Sequence, residues 1–223
     1  MSDAFIREVD EDLRQKQIND LWKKYGKFVI GIAIGIVVIV AGRSIYTQMV
    51  ESKYNEQATA FTNAIKLDDS EMSAALDPLI ASDVDGYEII ATFKKAELEV
   101  AADNKLGAVA VFDHFIETAS VDQVYIDMAT IQAAILELDT ASSDAVRARL
   151  ALILDGSSKF KYIASELLAL SELKNQETEA AIAHLEALVG DVETPGGIKN
   201  RAEQVVAAVH TQMFRNLYAK QTM

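Results

Sequence analysis

Cysteine is absent from the 223 residues, so the chain can form neither a disulfide nor a thiolate metal site. Proline occurs only twice, at Pro78 and Pro195, and nothing in the pattern reads as a strand. Basic residues are outnumbered: 21 Lys and Arg against 34 Asp and Glu leave a net charge of −13. That balance argues against a nucleic-acid partner, which requires a basic stripe. It also argues against a domain lying flat on anionic lipid. Motifs of catalysis are missing as well, with no G-x-S-x-G, no P-loop and no G-x-G-x-x-G. His114, His184 and His210 stand apart, with no second ligand at metal spacing on one helix face. Asp83-Val84-Asp85-Gly86 has the look of a calcium loop. With Gly86 at its sixth place, however, Ala81 and Thr92 occupy positions that need carboxylates, so it reads as a turn. No catalytic residue, metal or cofactor is expected, and the chain reads as a non-enzyme.

What is present begins with Phe28 to Gly42, FVIGIAIGIVVIVAG, fifteen residues without a charge. At 1.5 Å rise the run alone covers about 22 Å, less than the hydrocarbon core of a bilayer. Its flanks extend it. Trp22, Tyr25 and Tyr46 are placed as interfacial aromatics, and Lys27 and Arg43 can turn their heads to water. The expectation is a single transmembrane helix over 28–46, in contact with membrane lipid. A cleaved signal peptide fits less well. Its basic region would be short, whereas 27 residues precede the run, and Val40-Ala41-Gly42-Arg43 lacks a small-residue cleavage site.

Orientation follows from the flanking cations. Arg14, Lys16, Lys23, Lys24 and Lys27 precede the run, and only Arg43 and Lys53 follow it closely, which puts the N-terminus in the cytoplasm. Residues 1–27 hold six basic and six acidic side chains, so the acidic excess lies beyond the run. In a bacterium with two membranes the acidic part would be periplasmic. Gly31 and Gly35 form a GxxxG, extended by Gly42 on much the same face, a small-residue seam suited to another membrane helix.

The rest is patterned as helices. Residues 1–27 suggest a short amphipathic helix in the cytoplasmic segment. Residues 47–84 read as a helical linker, with a break at Asp68-Asp69-Ser70 and a kink at Pro78. From 85 to 223 helical stretches alternate with short turns at Asp103-Asn104-Lys105, Thr118 to Asp122, Ser142-Ser143-Asp144, Gly156-Ser157-Ser158 and Lys174 to Glu177. A last helix runs from Ile198 to about Ala219. Ala96, Ala133 and Ala169 recur at offsets of 37 and 36, and each is followed twelve residues later by Ala108, Ala145 or Ala181. Large apolar residues follow at four and seven in the outer units, Phe112 with Phe115 and Leu185 with Leu188. The middle unit has Arg149 and Leu152 there. Small residues at such positions let two antiparallel helices approach, and stacked pairs build a solenoid. Lys94-Lys95 and Arg147 with Arg149 are basic spots that read as solvated faces or as contacts for an acidic partner.

These units resemble tetratricopeptide repeats, in which small residues recur at fixed places in a unit of about 34 residues. Leu168-Ala169, Ala181 and Leu185 fit that pattern best, while the early aromatic of the first helix and the helix-ending proline are missing. The all-α expectation is therefore one transmembrane helix followed by a tetratricopeptide-like solenoid of helical hairpins. With the opening FIREVDEDLRQKQINDLWKKYGKFVIGIAIGIVVIVAGRSIY, the layout resembles the ancillary SecYEG translocon subunit family, single-pass proteins of the bacterial inner membrane. That resemblance implies a non-enzymatic scaffold whose partners are Sec translocon subunits and periplasmic chaperones. The alternative is an envelope assembly or cell-division protein acting through self-association of the repeat domain as a homo-oligomer.

Overall fold

Long stretches free of proline and glycine, broken by polar turns, favour helices. Helices account for the regular structure among the described residues, with no strand. The computed structural model describes residue 32, residues 35–82 and residues 86–221. α1 covers 35–64, followed by α2 (Asp69–Ile80), α3 (Tyr87–Ala101), α4 (Lys105–Thr118) and α5 (Gln123–Glu137). The chain continues through α6 (Ser143–Asp155), α7 (Lys161–Lys174), α8 (Thr178–Gly190) and α9 (Gly196–Gln221). It divides into two units, residues 1–56 and 57–223.

In the first unit the described part of α1 carries Ile36, Val37, Val38, Ile39 and Val40 in succession, all exposed. Among the described residues no helix is long and apolar enough to cross a membrane. Most of the first half of the expected span, Gly31 included, lies outside those residues, as do the amphipathic segment 1–27 and residues 83–85.

In the second unit each helix from α2 onward packs on the next, and α5 and α9 also touch α7. This is the contact pattern of stacked hairpins: α3 with α4, α5 with α6, α7 with α8, and α9 against the last pair. Within the range read as a linker, α2 packs on α3, and Met72, Leu76 and Leu79 are buried with Ala64 and Ala91. Pro78 sits in the last turn of α2, and the helix ends two residues later. Only Ala74 O loses a helical donor there, and the break costs little so near an end.

The turns show why the helices stop where they do. Gly86, at φ 93°, caps the start of α3 in a backbone conformation that costs only glycine nothing. Asn104 accepts from Gly107 N–H at 3.0 Å and so caps α4, and Ser142 accepts from Ala145 N–H at 3.3 Å at the start of α6. Phe93 meets the ring of Phe112 edge-on at 5.1 Å, which closes the core between α3 and α4. Phe93 is half-buried, and the buried Phe112 contributes on the order of 2–3 kcal/mol.

Candidate functional site

Four helices carry the same buried triad, spaced at i, i+4 and i+7 so that all three side chains share one face. They are Met72, Leu76 and Leu79 on α2; Ala108, Phe112 and Phe115 on α4; Val146, Leu150 and Ile153 on α6; Ala181, Leu185 and Leu188 on α8. Of the small residues singled out in the sequence, Ala96, Ala108, Ala133, Ala169 and Ala181 are buried. Ala96, Ala108 and Ala133 meet in one core cluster, and Ala169 lies in another with Leu185 and Leu188.

Ala145 does not belong to that set. It is exposed, and Val146 takes the inward position. The cause is the turn before it. Ala102–Asn104 and Asn175–Glu177 are three-residue turns, whereas Leu138–Ser142 has five residues and moves α6 out of register. The apparent break in the middle unit, Arg149 and Leu152 where apolar core residues were expected, is this shift. Leu150 and Ile153 fill the core, and Leu152 is 85 % exposed.

Charged side chains lace the layers together. Arg149 on α6 reaches Asp113 of α4 at 2.5 Å and Glu137 of α5 at 2.7 and 2.8 Å. Burial works against its charge, yet hydrogen bonds to Asp113 and Glu137 prevail and hold its pKa above the usual guanidinium value. Arg147 contacts Glu172 of α7 at 2.5 Å, and His184 Nδ1 of α8 lies 2.8 Å from the other oxygen of that fully buried carboxylate. Arg201 of α9 grips Glu166 of α7 with two bonds of 2.7 and 2.6 Å. Lys95 pairs with Asp77 of α2, and Lys94 with Glu97 on its own helix. The basic spots at 94–95 and at 147 and 149 are thus paired within the chain.

Surface openings lie along the stack. Gln123, Val124, Asp127, Leu152 and Phe160 line a groove of about 450 Å³ beside α5 and α6. There Ser158 Oγ donates to Asp127 at 2.5 Å and Gln123 Nε2 donates to it at 2.9 Å. A second groove, of about 440 Å³, lies between α8 and α9. His114 and His210 are exposed, and among the described residues no group of three or more His, Asp or Glu side chains is placed to hold a metal. Gly35 and Gly42 have open space where a side chain would project. This arrangement offers apolar grooves on a rigid, charge-stapled stack, which suits protein contact.

A family model for a tetratricopeptide repeat-like domain matches residues 19–192. The chain belongs to this family. No curated protein and no solved structure matches it.

Sequence reasoning missed the α2 triad because Pro78 and the linker reading drew attention from the 36-residue step between Met72 and Ala108. It also missed the ion pairs. Their partners lie 12 to 36 residues apart in the chain, and only the stacking brings them together.

Proposed function

We propose that the chain is a membrane-anchored, non-enzymatic scaffold that presents its repeat domain to protein partners. The carrying observation is the row Ile36 to Val40, five consecutive apolar side chains exposed on a helix. Consecutive residues step about 100° apart, so such a row is apolar on every side, as a lipid-facing helix is. The family match begins at residue 19 and takes in the whole run, which makes the run part of the shared family unit. The anchor spans 28–46 in a bacterial inner membrane, with the N-terminus cytoplasmic and the acidic domain periplasmic. By resemblance, the partners are Sec translocon subunits and periplasmic chaperones. Gly31, Gly35 and Gly42 supply the seam for a neighbouring membrane helix.

Crosslinking in native membranes tests this reading. Translocon subunits and chaperones should be recovered with the chain, and Gly31→Leu with Gly35→Leu should reduce recovery of the membrane partner. Recovery of self or septal proteins alone would instead support envelope assembly by self-association. Release of the chain by alkaline carbonate would remove the anchor from the account.

A further inference from the structure

Among the described residues the buried carboxylates are Asp127, Glu166 and Glu172. Two of these meet a cation from another helix: Glu166 is held by Arg201, and Glu172 by Arg147. Asp127 of α5 has only neutral donors, Ser158 Oγ at 2.5 Å and Gln123 Nε2 at 2.9 Å. Lys159 lines the same groove but is exposed, and among the described residues no ion pair reaches Asp127. The groove beside α5 and α6 continues into another of about 350 Å³. The two share Gln123, Asp127 and Leu152, so the buried carboxylate lies where they join.

Apolar walls flank that carboxylate. Leu152 and Val124 stand exposed in the first groove, and Ile116 and Ile126 line the other. Arg149 also lines the second groove, but its guanidinium is taken up by Asp113 and Glu137. Bonds from a hydroxyl and an amide leave the charge of Asp127 uncompensated at a buried position. Elsewhere in the stack a basic side chain from a neighbouring helix meets that need. We propose that this trough receives a segment of a partner protein in which a lysine or arginine stands between apolar residues. The cation meets Asp127, and its apolar neighbours cover Leu152 and Val124. This partner chemistry rests on the reading of the domain as a platform for proteins, and not on the anchor or the translocon.

The probe is a fluorescein-labelled peptide of leucine–lysine–leucine flanked by alanines, titrated into the purified full-length chain by fluorescence anisotropy. Its control carries norleucine, the same stem without the ammonium, in place of the lysine. The lysine peptide should bind at least about tenfold more tightly, and Asp127→Asn should remove that preference. Ser158→Ala breaks the loop's bond to Asp127 but keeps the carboxylate, so the preference should persist there. Leu152→Ser should weaken both peptides alike. If Asp127→Asn unfolds, a benzophenone-bearing lysine peptide on the unaltered chain decides the matter. Its crosslinks should fall on 123–127 and 152–160, and crosslinks elsewhere would overturn the proposal. No binding, equal binding of the two peptides, a preference that survives Asp127→Asn, or one lost with Ser158→Ala would overturn it as well. Protein partners crosslinked in native membranes equally by the native and Asp127→Asn chains would remove this site and leave the scaffold standing.

Discussion

Asp103 and Gln176 hold φ of 59° and 65°, the left-handed region that side chains other than glycine rarely enter. They occupy matching places in the two short hairpin turns, where Asn104 N–H bonds Glu99 O and Glu177 N–H bonds Glu172 O, both at 2.8 Å. Relief of that conformation outweighs the unfolded-state freedom glycine adds, so Gln176→Gly should stabilise by up to about 1 kcal/mol in urea unfolding. Gln176→Val should destabilise by about 1–2 kcal/mol. Glu172 is the costlier residue. Removing its main partner with Arg147→Met leaves a buried carboxylate to His184 alone and should cost about 3 kcal/mol by the same measurement. Tyr162 supplies a pH test. Burial, then Asp191 and Glu193 beside its hydroxyl, raise its pKa above the usual phenol value. The folded state therefore binds this proton more tightly than the unfolded chain. The resulting stability is complete below about pH 10 and disappears as pH rises through the folded value. Tyr162→Phe should flatten the decline in melting temperature measured between pH 9 and 11.

At the scale of elements, the register of α6 is the sharpest prediction. Leu150→Ala should cost about 3 kcal/mol in denaturant unfolding, whereas Leu152→Ala, two residues on, should change stability by less than about 0.5 kcal/mol. Ala181→Leu should overpack and cost about 1–3 kcal/mol, but Ala145→Leu should be tolerated. The alternation of helix and turn was legible in the sequence because proline is rare and polar breaks are short. The turns expected at 103–105, 118–122, 156–158 and 174–177 fall at the breaks between helices in the structure. The twelve-residue alanine step located the inward face of α4 and α8. It failed for α6 because two extra residues in the turn at Leu138–Ser142 carry no hydrophobic signature of their own. α2 was hidden for a related reason. A proline inside a helical pattern suggests a kink, but here it falls in the last turn and leaves the triad intact.

For the whole molecule, the ion pairs add a layer that composition could not reveal. An excess of acid invites the expectation of a repelling surface, yet Arg147, Arg149 and Arg201 each join helices of different hairpins or layers. Arg149→Met should loosen the contact of α6 with α4 and α5 together. Hydrogen exchange should accelerate in these three helices before it does in α8 and α9. Exchange rising uniformly across all helices would count against a stack of separable layers.

The neighbour-to-neighbour packing of α2 through α9 has a bearing on how the chain first acquires its shape. Among the described residues, the substantial contacts between elements all lie within two helices along the sequence. A stretch emerging amino end first can therefore close each hairpin onto the one already formed, without waiting for residues still to come. Low contact order favours rapid folding. For a domain delivered through a narrow passage, each completed hairpin would also hinder its own return.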